Sequence, residues 1–350
     1  VSKKEPPIFF AEVGSYFNGD ANLAKNLFEK IISARDANPN AAVILKTEIL
    51  NDPEICLHSD LIENYQDKQG NVRQENYRKL IERKSMPLSH YEPLFAYARE
   101  VKIPMVVSVY DFNAADFAVA QGAAGLKIAS TNVIHLPLIH YVAGLGLPMV
   151  IDTGRALLSE VARAVEVARN AGAKDIIIQH SPDGHPALPE AHNLRILQTY
   201  EKAFGLPVGL SDHHVGTEML YMALALGATV LEKGLYFNPD ELDQDIAHSM
   251  DINDLPIVLK KTLECWQAMG NTWRDNSKPI KGTLGSSQRQ CLVAKKGLKA
   301  GDSLSFDTVR FAFPCMGIPV EHWSIVKDWA IRADLNQDQP IEWKHVEANN

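Results

Sequence analysis

Eight short apolar runs in the first 270 residues end in polar side chains, and those ends hold the residue types that could do chemistry. The runs span 8–13, 41–48, 103–111, 125–130, 148–153, 175–181, 207–213 and 228–236. They end in Glu12, Lys46 with Glu48, Ser108 with Asp111, Lys127 with Ser130, Asp152 with Thr153, Gln179 with His180, Asp212 with His213, and Lys233. A lysine at the end of a buried apolar run is costly without an anionic partner. Lys46 and Lys127 stand at corresponding ends, so the pair is a candidate for holding an anionic ligand. Glu12 is a candidate carboxylate for the same place, or a structural partner of either lysine. His213 is a candidate ligand or a hydrogen-bonded core histidine. A lysine in this setting can also form a Schiff base with a carbonyl. An aldolase working through Lys127 or Lys46 is therefore a second chemistry, separable by borohydride trapping with pyruvate.

The elements that must position these residues follow from the pattern between the runs. Amphipathic stretches such as ANLAKNLFEKIISA, LLSEVARAVEVARNA and GTEMLYMALALG alternate with the apolar runs. Near-continuous apolar strands alternating with helices predict parallel strands buried on both faces. Eight such units predict a (β/α)8 TIM barrel, whose chemistry sits at the C-terminal ends of its strands. A doubly wound open sheet is the structural alternative. No GxGxxG follows a strand, which argues against a dinucleotide site. After a helix at about 253–269 the texture changes. We expect a barrel over 1–273, a polar Gly/Ser-rich linker over 274–286 and a small β-rich domain over 287–350. A domain of that size gains core by docking on something else.

Composition narrows the function classes. The chain has 350 residues, a formal net charge of −8 and 46% hydrophobic residues. That is enough apolar material for a large core. The acidic balance argues against nucleic acid or an anionic membrane surface as partner. No apolar run approaches the ~18 residues of a membrane span. VSKKEPPIFF has basic residues but no apolar stretch of signal-peptide length after them. Cys56, Cys265, Cys291 and Cys315 lie far apart with no CxxC spacing, so reduced thiols in a cytoplasmic protein are expected.

Several motifs, taken in order, resemble the sialic acid synthase (NeuB-like) family, including its spore coat polysaccharide biosynthesis protein E branch. They are FFAEVG and FNGD at 9–20, LKTE at 45–48, GLKIAS at 125–130, IDTG at 151–154, GLSDHHVGTEMLYMALALGATVLEK at 209–233, DIAHSMD at 245–251 and LVAKKGLKAGDSL at 292–304. The last stretch is similar to the antifreeze-like SAF domain that closes the family. The resemblance implies condensation of phosphoenolpyruvate with an N-acylated sugar aldehyde of the N-acetylmannosamine type. C3 of the enol attacks the aldehyde, water attacks C2, and phosphate leaves. The product is a nonulosonic acid for surface polysaccharide.

Carried over residue by residue, Lys46 and Lys127 match donor-binding lysines. Ser108 and Ser130 match hydroxyls around the phosphate, and Glu12 matches a carboxylate near the reacting carbons. Asp245 matches an acid on the sugar hydroxyls. Glu48, Thr153 and Ser181 complete the expected substrate-binding set. Glu12, Lys127 and His213 make the expected catalytic set. His213 also matches the first of two histidines that bind a divalent ion, Mn2+ or Mg2+; no organic cofactor is expected. The family architecture implies a homodimer in which the SAF domain crosses onto the partner's barrel.

The departures concentrate at the same site. Gly234 stands where the second metal histidine is expected, so His180 and His185 are the nearest replacements by strand order. His214 is disfavoured because the next residue along a strand faces the other way. The expected NHNG reads Tyr16-Phe17-Asn18-Gly19, the glutamate after GLKIAS is Asn132, and Phe313 lies where the SAF domain has its arginine. Three readings stay open. One is an active enzyme with a rebuilt metal site. Another is a metal-independent variant resembling some Kdo-8-phosphate synthases. The third is a degenerate sugar- or phosphate-binding protein.

Overall fold

Each of the eight apolar runs forms a strand in the computed structural model, which describes residues 5–14, 20–270 and 288–348. The chain divides into two units, Val1–Gly270 and Asn271–Asn350. The expected linker, all of it within 271–287, and Tyr16 to Gly19 lie outside the described residues.

In the first unit the strands are β1 (Ile8–Val13), β2 (Ala42–Ile49), a β3–β4 hairpin (Ile62–Gln66 and Val72–Asn76), β5 (Met105–Val109), β6 (Gly125–Ile128), β7 (Met149–Asp152), β8 (Ile176–His180), β9 (Val208–Asp212) and β10 (Val230–Tyr236). Apart from the hairpin, they pair in parallel in chain order, and β10 closes back on β1. This is a closed (β/α)8 barrel. Helices α1 (Ala21–Asp36), α2 (Tyr77–Lys84), α3 (Glu92–Glu100), α4 (Phe112–Ala120), α5 (Leu136–Gly144), α6 (Leu158–Asn170), α7 (Ile196–Phe204), α8 (Glu218–Ala225) and α9 (Leu255–Met269) follow the strands. A short strand, β11 (Met250–Asp251), pairs with Leu235 and Tyr236 of β10.

Side chains alternate across a strand, so each barrel strand supplies two cores. Outward positions such as Phe9, Leu45, Val107, Leu126, Ile151, Ile178 and Leu231 join the apolar faces of the helices, for example Leu27, Phe28 and Ile31 of α1. Inward positions form a separate apolar cluster of Phe10, Val106, Val150 and Val230, with Ile44 and Ile177 packed against it. Two residues further along each strand, that inward row becomes Glu12, Lys46, Ser108, Asp152, Gln179 and Glu232, with Lys127 and Ser211 beside them on β6 and β9. The apolar plug is therefore capped by a polar layer at the C-terminal ends of the strands.

Acidic N-caps sit where strands hand over to helices. Asp20 accepts from the amides of Asn22 and Leu23 at the start of α1, and Asp111 accepts from that of Ala114 at the start of α4. Such caps satisfy otherwise orphaned amides.

The second unit has two antiparallel pairs, β12 (Cys291–Ala294) with β13 (Val309–Ala312) and β14 (Ala330–Ile331) with β15 (Val346–Glu347). Its own core includes Leu292, Leu298, Leu304, Ile318, Val326, Ile331 and Ile341. All four cysteines are free thiols. Among the described residues no helix is long and apolar enough to cross a membrane.

Candidate active site

The polar layer floors a cavity of about 520 Å³ at the C-terminal end of the barrel. Strand register brings its charges together. Glu12 lies beside Lys46, and Ser108 beside Lys127. Lys46 Nζ is ion-paired with Glu12, and lies 3.3 Å from Glu48 Oε1 and 3.7 Å from Glu232 Oε1. Lys127 Nζ lies 2.9 Å from Asp152 Oδ2 and 2.6 Å from Glu232 Oε1. Ser211 Oγ donates to Glu232 Oε1 at 3.1 Å, and Tyr110 Oη to Glu48 Oε1 at 3.2 Å.

The environment splits the carboxylates. Burial pushes Glu12 up to about 7, with Lys46 opposing and Glu232 and Glu48 adding to the rise. Burial also works against ionised Glu232, but Lys127 and Lys46 outweigh it and hold that group down at about 2. Burial disfavours both charged lysines, and their carboxylate neighbours more than compensate, so Lys46 and Lys127 stay protonated. Two carboxyl groups with such separated tendencies, beside fixed ammonium groups, are the arrangement of an acid–base site.

The other side of the cavity is built by loops. His213 follows β9, His185 sits in the loop after β8, and Asp245 and His248 lie in the segment between β10 and β11. His185 Nδ1 is 3.1 Å from Asp245 Oδ1. The ring centroids of His185 and His213 are 4.5 Å apart, as are those of His213 and His248. One potential ligand atom from each of the three rings lies within 4.8 Å of the other two. Burial, reinforced by His185, pushes His213 down to about 3. His248 is held well below the usual histidine range by burial and by His213. Both are therefore neutral, as metal-binding imidazoles must be, and the donor set fits a metal ion.

Of the expected site residues, Glu12, Lys46, Glu48, Ser108, Lys127, Ser130, His185, His213 and Asp245 all line this one cavity. Three of the expected residues lie outside its lining. His180 is turned away: Gln179 takes the inward position on β8, and His180 Nε2 meets the His192 carbonyl oxygen at 2.6 Å. Ser181 does not line the cavity; its hydroxyl donates to Asp152 Oδ1 at 2.6 Å, behind the lysine's partner. Thr153 is fully buried and also lies outside the cavity lining. Lys233, the polar end of the last run, points outward, where it pairs with Asp212 Oδ2 at 2.8 Å. His214 also turns away, toward Glu218.

Sequence reasoning named Asp152 as a polar strand end without giving it a role, and missed Ser211, Glu232, Tyr110 and His248 as cavity residues. For Glu232 the signal was available. Counting by two from Val230 along β10 gives Glu232 and Gly234 inward and Lys233 outward. His248 sits in a loop, where no periodicity applies.

The chain is similar to known proteins over most of its length. The NeuB family model matches residues 36–274. The chain is 27% identical to the N,N'-diacetyllegionaminic acid synthase of Campylobacter jejuni over 89% of this chain and 91% of that protein. It is 25% identical to the N-acetylneuraminate-9-phosphate synthase of Mus musculus over 100% of this chain and 95% of that one. Among solved structures, the Bacillus subtilis spore coat polysaccharide biosynthesis protein spsE covers 99% of this chain and 96% of its own, with a TM-score of 0.62 at 23% identity; at that identity it supports the fold. With more than half of its length matched by the family model, the chain belongs to the NeuB family.

Proposed function

We propose that this chain condenses phosphoenolpyruvate with an uncharged N-acylated sugar aldehyde, giving a nonulosonic acid and phosphate for surface polysaccharide. The observation that carries the reading is the polar layer, where Lys46 and Lys127 share Glu232 at the floor of one cavity. Buried ammonium groups in a carboxylate cage are poised to exchange those partners for the donor's phosphate and carboxylate. Ser108, whose buried Oγ has no hydrogen-bond partner, and Ser130 supply hydroxyls beside them. C3 of the enol forms the new bond to the aldehyde carbon, whose oxygen gains a proton. Water adds at C2, and the C–O bond to phosphate breaks. Glu12, held near 7, suits the moving protons.

The ion pairs support an uncharged acceptor. Once the donor has Lys46 and Lys127, the remaining lysine lining the cavity is Lys84. It is held 3.0 Å from Asp243 and 3.6 Å from Asp245. A second phosphate would have to draw Lys84 away from both Asp243 and Asp245. Glu48 and Asp245 instead present acceptors for sugar hydroxyls. A cytoplasmic homodimer belongs to the same reading, and sedimentation equilibrium tests its assembly.

The test is phosphate release from phosphoenolpyruvate with N-acyl hexosamines and their 6-phosphates. The reading expects release with a free sugar and at least about tenfold less with its phosphate, the scale of one unpaired buried charge. Release only with the phosphorylated sugar overturns the acceptor assignment. No release with any aldehyde, or a lysine adduct trapped with pyruvate and borohydride, overturns the reaction.

A further inference from the structure

The loop side of the cavity holds a histidine cluster, and the segment that carries His248 packs against a glycine on β10. At Gly234 an added Cβ would stand 2.5 Å from Ser249 Oγ. A side chain there would crowd that hydroxyl, which donates to the Asp245 carbonyl oxygen at 2.8 Å, so the glycine lets Ser249, the neighbour of His248, pack directly over the end of β10. Other contacts hold it there. Lys68, in the β3–β4 turn, donates to the carbonyl oxygens of Ala247 and Ser249 on either side of His248, at 3.2 and 2.5 Å. Lys84 pairs with Asp243 and Asp245, and Arg83 donates to the Leu242 carbonyl oxygen at 2.5 Å.

We propose that His185, His213 and His248 form a binding site for one divalent transition-metal ion, with His248 of the segment after β10 standing in for the histidine expected on β10. The Nδ1 atoms of His213 and His248 are buried and have no hydrogen-bond partner. Such atoms are costly unless something meets them. Asp245 engages Nδ1 of His185, which leaves Nε2 of that ring for an ion, the carboxylate–histidine–metal arrangement. Three neutral imidazoles suit zinc, cobalt or iron, and are a poor set for magnesium, which demands oxygen ligands. His185 is 42% exposed at its side chain. The ion would have a coordination position open to the cavity that also holds Lys46 and Lys127, as catalytic metal sites do. This assignment stands on the cluster and does not require the proposed reaction.

The test is cobalt titration of the full chain after treatment with chelator, read by visible absorption and by calorimetry. One Co2+ per chain is expected, with a ligand-field spectrum of low coordination number and displacement by Zn2+. Replacing His213 with Ala or His248 with Gln should each weaken binding at least about 100-fold, and Asp245→Asn should weaken it about 10–100-fold, the range for groups that orient a ligand. His180→Asn should leave affinity unchanged. Circular dichroism separates lost sites from lost folds. If a variant fails to fold, Gly234→Ala gives a second route, because its Cβ crowds Ser249 beside His248 without removing a ligand. No saturable cobalt binding in the wild-type chain overturns the proposal, as does wild-type affinity in folded His248→Gln.

Discussion

The two sides of the cavity are built differently. On the donor side, every charge stands on a barrel strand, and each position is fixed by register to a neighbour: Glu12 to Lys46, Ser108 to Lys127, Ser211 to Glu232. On the histidine side, His185, His213, Asp245 and His248 come from loops, and the segment carrying Asp245 and His248 is held by ion pairs and carbonyl contacts from the insertion between β2 and β5. Strand-borne groups move only if the barrel does. Loop-borne groups can be replaced from a neighbouring segment, as we propose for His248 where β10 carries Gly234. The difference predicts that the two sides can be broken separately.

The largest effect should come from Lys46→Met. It removes the cation shared by Glu12, Glu48 and Glu232 and leaves buried carboxylates uncompensated. Catalytic efficiency should fall by about 10³-fold or more, the scale of truncating a buried charge pair. Cobalt binding at the histidines should survive, and losing both together would contradict the separation.

Gly234→Ala probes the other side. Its Cβ would stand 2.5 Å from Ser249 Oγ. It should raise the sugar KM and weaken ion binding by about tenfold, the order of a displaced orienting group. Phosphoenolpyruvate affinity by calorimetry should stay within about twofold, well under 1 kcal/mol.

A smaller effect is proton linkage at Glu12. Its carboxyl is already raised to about 7 by burial. A bound anion that draws Lys46 away raises it further, so the complex binds more protons than the free protein. Near and above pH 7 donor binding should therefore take up a proton and weaken with rising pH, at most about tenfold per pH unit for one group. Calorimetry in buffers of different ionisation enthalpy measures the uptake, and Glu12→Gln should abolish it. For folding the sign is similar. A raised folded pKa means the native state binds more protons between about 4.5 and 7, so this group's contribution to stability declines across that window.

The smallest effect belongs to Ser181→Ala. It deletes one hydrogen bond to Asp152, which in turn holds Lys127. One such bond is worth about 1 kcal/mol, so donor affinity should fall about fivefold. Unchanged affinity would show that Asp152 needs no support from that side.

The same division explains what was legible in the sequence. All eight barrel strands could be read from apolar runs between amphipathic stretches, because parallel strands are buried on both faces. Lys46, Lys127, Glu12 and Ser108 were legible as polar ends of those runs. Within the runs, choosing the last polar residue erred where alternation decides instead. His180 and Lys233 come last but face outward, while Gln179 and Glu232 beside them face inward. The β3–β4 hairpin was not anticipated; ENYQ and VRQE lack the apolar alternation that marks a half-buried strand. His248 was invisible as a cavity residue because its placement depends on Lys68, Arg83, Lys84 and Gly234, groups far apart in the chain.

The most direct test of the donor side is calorimetric titration of phosphoenolpyruvate into the wild-type chain and into Lys127→Met. Lys127 holds Glu232 and Asp152 at 2.6 and 2.9 Å and faces the cavity floor. The account predicts one donor bound per chain by the wild type and loss of binding, by at least about 100-fold, in a variant that keeps its circular dichroism spectrum. Equal affinity in the two folded proteins would contradict it.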